Sequence, residues 1–138
     1  MIDAYLDESG IHDGARICVV AGYSGGRGQW RRFEFEWRRL LDRYKIPISE
    51  FHANKLAKMR QHAELLHAAA KLIRSFDKIH PMGVGVFVDD FMSFTPEQRM
   101  WMTGADINER GFLSSSGSPE RPYFLPFQFC IQIGCGHA

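Results

Sequence analysis

The sequence predicts a mixed α/β chain in which a β-hairpin, two long helices and a third buried strand follow one another. Three observations carry this. Residues 2–7 (IDAYLD) alternate apolar and polar with period two. Residues 16–22 (RICVVAG) are a β-branched run. From Trp30 onward, apolar residues recur at helical spacing.

Between the first two strands lies Asp13-Gly14, a strong hairpin signal because both residues tolerate the positive φ of a type I′ turn. Such a turn would pair His12 with Ala15, Asp7 with Val20 and Leu6 with Ala21. Asp7 would then sit in mid-ladder on a face with Tyr5, Ser9, Cys18 and Gly22. Ile2, Ala4, Leu6, Ile17 and Val19 would form the drier face. A bulge at Gly10 would shift this register.

Residues 22–28 carry four glycines and read as a flexible strand-to-helix loop. They match neither a Walker A nor a dinucleotide fingerprint. In the first helix Trp30, Phe33, Trp37, Leu40, Leu41 and Tyr44 form the core stripe, and Pro47 ends it. A second helix is expected over residues 54–76 with Leu56, Met59, Ala63, Leu66, Ala70 and Ile73 inward, stopped by His80-Pro81. Residues 82–88 (MGVGVFV) read as a buried strand closing on Asp89-Asp90. Thr95-Pro96-Glu97-Gln98 starts a short helix with a Thr cap. Residues 111–122 read as a loop, and residues 123–131 (YFLPFQFCI) are intensely apolar. That last segment needs cover, which implies self-association or a partner chain.

With 138 residues, one domain spanning 1–138 is expected. Lys plus Arg total 17 against 16 for Asp plus Glu, which excludes a polybasic chromatin-type protein. Hydrophobic residues at 45% and charged residues at 24% exclude a disordered chain. Three cysteines, Cys18, Cys130 and Cys135, do not make a disulfide scaffold and fit a reducing cytoplasm. The N-terminus lacks the pattern of a signal peptide. Residues 122–138, the longest uncharged stretch, are too short and interrupted for a bilayer span, so no membrane is expected.

Tyr5-Leu6-Asp7-Glu8-Ser9-Gly10 ending the first strand and Val20-Ala21-Gly22 in the second carry a resemblance. Glu50-Phe51-His52-Ala53 before the second helix and residues 83–88 as a buried strand extend it. Together they resemble the prokaryotic domain-of-unknown-function family 3800, over most of the chain. The resemblance implies a ribonuclease H-like fold and a Mg²⁺- or Mn²⁺-dependent phosphodiesterase or nuclease. In that plan an Asp in mid first strand is the central metal ligand, a role that falls on Asp7. The family's further strand ending in Asp and its late Gln-x-Ala-Asp helix have no counterpart before Ala138. The chain is therefore expected to be truncated at the C-terminus, the N-terminal portion of that domain, inactive or incomplete alone.

Two-metal phosphodiester hydrolysis needs several carboxylates converging on ions about 4 Å apart. The candidates are Asp7 as ligand and catalytic residue, Glu8 and Asp89 as further ligands, and Glu8 and His52 as catalytic groups. Each has a plainer reading. Asp7 could cap the following turn, although Asp inside a strand is unfavourable. Glu8 points to the opposite face of a regular strand unless Ser9-Gly10 twists it round. His52 could orient water or phosphate near pH 7 or simply enter a helix. Asp89 could be strand-end solvation.

A competing class is a non-catalytic module binding nucleic acid or protein. Arg31, Arg32, Arg38, Arg39 and Arg43 lie opposite the core stripe with Phe35 among them, and residues 27–45 are locally +4. Such a face could track a phosphate backbone with the ring stacking on a base, or be a solvated surface. Cys130, Cys135 and His137 lack the spacing of a zinc site, and His62 and His67 read as helix-surface residues.

Overall fold

The computed structural model describes residues 1–104, 107–108, 111–112 and 119–136. The alternating segments form β1 (Ile2–Ser9) and β2 (Ile17–Gly26), and a third strand, β3 (Ile79–Phe87), completes an antiparallel sheet of order β1-β2-β3. The fold is mixed α/β, as the sequence predicts.

The hairpin turns at Asp13-Gly14, but not as a type I′ turn. Gly14 has φ +78° while Asp13 is not in the positive-φ region, the pattern of a type II turn, and Ala15 N–H donates to His12 O at 3.2 Å. The register differs accordingly by one residue. Gly22 approaches the Tyr5 carbonyl and Leu6 Cα, and Gly10, at φ +75°, approaches the Ile17 carbonyl and Cys18 Cα. Leu6 thus lies opposite Gly22, and Gly10 opposite Cys18. Because strand side chains alternate, the slip moves Leu6 onto the face of Cys18 and Val20 and sends Asp7 to the other. The buried face is Cys18, Val20 and Ser24, whereas Ile17 and Ile2, expected on the dry side, are exposed.

On the other side of β2, Gly83 lies against Ala21 and Gly85 against Ile17 and Val19, and Val88 N–H donates to Arg16 O at 3.0 Å. β3 alternates in burial rather than being buried throughout, so Met82 and Val84 share one face while Gly83, Gly85 and Phe87 take the other. Its Pro81 is tolerated because β3 lies at the sheet edge.

The chain divides into two compact units. One comprises residues 2–24 and 80–138. Here Val20, Met82 and Cys130 form the core with Leu6, Val84, Tyr123 and Phe127 around it. β3 passes directly into α4 (Val88–Ser93), followed by α5 (Pro96–Met102). Thr95 caps α5 as expected: Gln98 N–H donates to Thr95 Oγ1 at 3.3 Å, and Thr95 N–H to Gln98 Oε1 at 2.9 Å. Two-residue strands β4 (Ile107–Asn108) and β5 (Gly111–Phe112) pair antiparallel. Residues 113–118 of the expected loop lie outside the described residues.

The apolar C-terminal segment is α6 (Phe124–Gly136), with Pro126 in its first turn, where no intrahelical N–H bond is lost. Pro126, Cys130 and Gly134 are its buried stripe. α6 therefore supplies part of the cover that the sheet needs. Phe129, Ile131 and Ile133 of the same helix are exposed.

The other unit comprises residues 25–79 with Met1. No loop separates β2 from α1 (Arg27–Tyr44): the glycines expected to be flexible continue the strand through Gly26, which is the helix N-cap. An aromatic series runs along α1. Trp30 meets Phe33 edge-on, Phe33 stacks on Trp37 at 5.5 Å, and Trp37 meets Phe51 at 4.9 Å.

The expected second helix is broken into α2 (Ala53–Leu56), a 3-10 turn Arg60–His62 and α3 (Ala63–Arg74). The break rotates the buried stripe. Leu65 and Ala69 join Leu40, Leu41 and Leu56 in the core, while Met59, Ala63 and Ala70 face solvent. Burying a leucine in place of an alanine removes more apolar surface from water, which favours the rotated phase.

Candidate functional site

β1 presents adjacent carboxylates to opposite faces. Asp7 is exposed, and its Oδ1 accepts a hydrogen bond from Glu8 N–H at 3.0 Å. That contact is local, between neighbours within β1. Glu8 lies on the side of Cys18 and Tyr123. Burial first, and then the nearby Glu8 carboxylate, push the Cys18 thiol above its ordinary value of 9.0 and the Tyr123 phenol above 10.0.

Asp89 and Asp90 do not close a strand but occupy the exposed first turn of α4, where acids complement the helix dipole. Val88 is bonded beside Arg16, at the hairpin end of β2, whereas Asp7 lies level with Ala21. Those five strand residues separate Asp89 from Asp7 by roughly 16 Å along the sheet. His52 belongs to the other unit, where it is the exposed N-cap residue of α2 and makes no side-chain cap bond.

Among the described residues no three His, Cys, Asp or Glu side chains gather closely enough to hold a metal ion. Asp7 and Glu8 on opposite faces, with Asp89 several residues along the sheet, do not fit a two-metal centre. All three cysteines are free; Cys18 and Cys130 are buried and Cys135 is exposed.

The charge of the two units is the feature that whole-chain arithmetic conceals. Residues 25–79 hold thirteen Lys and Arg against six Asp and Glu, a net +7; the rest of the chain holds four against ten, a net −6. All thirteen cations are exposed. On α1, Arg38 pairs with Glu34 at 2.7 Å and Arg39 with Glu36 at 3.3 Å. Phe35 is 61% exposed, and the Arg39 guanidinium lies 5.7 Å from its ring centroid. The sequence marks the local +4 of α1, but the full segregation emerges only once the fold shows which residues form one unit.

The class that fold and geometry define is a mixed α/β protein: a three-stranded antiparallel sheet in one unit and a basic helical unit beside it in sequence. Compared with protein families, curated proteins and solved structures, the chain matches none. Among the described residues no helix is long and apolar enough to cross a membrane.

Proposed function

We propose that this chain binds nucleic acid through its basic helical unit. The carrying observation is the +7 charge of residues 25–79 within a chain of net +1. Exposed cations on a short unit neutralise phosphates and release counterions, the sequence-independent part of nucleic-acid affinity. Phe35 among the arginines adds a stacking surface that a purely electrostatic face lacks. The test is anisotropy of a labelled oligonucleotide across a salt series. Affinity falling steeply with salt and weakened by Arg31→Ala with Arg39→Ala supports this reading; affinity indifferent to salt removes it.

A second reading is a ribonuclease H-like phosphodiesterase that uses Mg²⁺ or Mn²⁺ on Asp7. It rests on the resemblance carried by Tyr5-Leu6-Asp7-Glu8-Ser9-Gly10 and on the exposure of Asp7 on β1. Cleavage by this route needs carboxylates beyond those the described residues bring together, from elsewhere in the chain or from a partner. A Mg²⁺- or Mn²⁺-dependent nuclease assay separates the two readings. Activity abolished by Asp7→Asn supports the metal assignment, and activity unchanged by it refutes the assignment.

A further inference from the structure

Within the basic unit, α1 and the end of α3 enclose an open cleft of about 390 Å³. Gln29, Arg32 and Glu36 line one wall, and Phe76, Asp77 and Lys78 the other. Phe76 is fixed by an edge-on contact with Phe33 at 5.4 Å, so the wall is part of the packed unit rather than a loose turn. The charged groups differ in availability. Glu36 is engaged by Arg39, while Arg32 and Lys78 are exposed and form no ion pair among the described residues. Arg39 ties the cleft to the aromatic face, since its guanidinium reaches both Glu36 and the Phe35 ring.

We infer that this cleft seats one nucleotide of a single-stranded nucleic acid, with Arg32 and Lys78 on its phosphate. This rests on the nucleic-acid reading above and names the site and substrate class for it. Two unpaired cations on facing walls suit a phosphate approached from both sides. The volume is of the order of one nucleotide, and a base that stacks on Phe35 must be unpaired, which favours a single strand over a duplex. Asp77, the remaining free carboxylate, accepts hydrogen bonds only, which a sugar hydroxyl or a base amine can donate. Phe35 lies on the adjoining face, where a neighbouring base of a flexible strand can stack. An acidic peptide or an anionic bilayer would use the same charge but brings no base to stack on the exposed Phe35 ring.

The experiment is fluorescence anisotropy of the full chain with labelled single-stranded RNA and DNA and with a duplex of the same sequence, over a salt series. Anionic phosphatidylserine vesicles serve as a further arm. Arg32→Ala, Lys78→Ala and their double variant are compared with Arg121→Ala, an exposed cation of the acidic unit, and circular dichroism checks folding. Arg32 and Lys78 meet one phosphate, so the double variant is expected to lower the slope of log affinity against log salt by about 0.7, the single-strand value per phosphate, and Arg121→Ala to leave it unchanged. RNA preferred over DNA, with the preference removed by Asp77→Ala, puts a sugar hydroxyl on Asp77; equal affinity for the two, weakened by Asp77→Ala, puts a base amine there, and either supports the site.

Salt-dependent binding that survives the double variant yet weakens in Arg31→Ala with Arg39→Ala overturns the cleft and leaves the nucleic-acid reading standing. Absence of salt-dependent oligonucleotide binding overturns both. Tighter binding to the duplex, or to the vesicles, overturns the single-strand assignment.

Discussion

Cys130 Sγ donates a hydrogen bond to the Val20 carbonyl at 3.3 Å, joining α6 to the central strand across 110 residues of sequence. Both side chains are buried, and the bond satisfies a thiol that would otherwise pack as a small apolar group. Thiolate is the reactive form, and burial raises the cost of forming it. A maleimide reagent is therefore expected to label Cys135 rapidly, with Cys18 and Cys130 reacting only after denaturant is added. Three thiols labelled at equal rates would show that α6 does not stay on the sheet.

The same burial gives stability a pH dependence of known sign. Cys18 and Cys130 are both pushed above their ordinary value of 9.0, so between that pH and their folded values the unfolded chain has released protons that the folded chain retains. Stability then falls as pH rises. Tyr123, raised from 10.0, extends the fall to higher pH. The urea midpoint is expected to hold steady below pH 9.0 and to decline above it, and Cys18→Ala should flatten the first part of that decline.

The rotated stripe of α3 is testable by contrast within one segment. Leu65 is fully buried beside Leu41 and Ala69, whereas Met59 is half exposed. Leu65→Ala is expected to cost about 2–5 kcal/mol, the range for a core leucine, and Met59→Ala under about 1 kcal/mol. Chemical denaturation of the two variants measures both. The reverse order would restore the continuous helix over residues 54–76.

Features set by neighbours in the chain are legible in the sequence; features set by distant partners are not. Thr95 and Gln98 form their reciprocal cap because both halves of the motif lie within one turn. The core stripe of α1 is likewise readable, since Leu40 and Leu41 follow from helical period alone. The hairpin can be located from Asp13-Gly14 but not aligned, because the register depends on whether Asp13 takes a positive φ. Nor can the sequence choose between Ala63 and Leu65 as the inward residue, a choice made by the facing leucines of α1 and α2.

The candidate site divides the same way. A type I′ turn would put Asp7 with Val20 and Cys18 on one face, and the slipped register instead gives that face to Glu8. The basic stripe of α1 is visible as a run of arginines, but Lys78 lies far from it in sequence, so the cleft it shares with Arg32 has no local signal.

Asp7 is exposed, and its part in the fold is confined to one bond from the neighbouring Glu8 N–H. An amide oxygen can accept the same bond. Asp7→Asn is therefore expected to change stability by less than about 0.5 kcal/mol, the usual range for such surface positions. Thermal melting checks this, and a matched melting temperature makes the nuclease comparison a comparison of chemistry alone.

Gly22 provides the sharpest check of the sheet register. A side chain built there would run into the Tyr5 carbonyl and press on Leu6 Cα, both backbone atoms of β1 that cannot rotate aside. Gly26, further along the same strand and with no atom near the position of a side chain, offers the matched control. Gly22→Ala must separate β1 from β2 locally and disturb Leu6, which packs on Val20 and Met82. A loss of about 1–3 kcal/mol is expected, as for overpacking a well-filled interior, against under about 1 kcal/mol for Gly26→Ala. Hydrogen exchange should report faster opening of β1 amides in Gly22→Ala; unchanged exchange together with unchanged stability would restore the alignment of Asp7 with Val20.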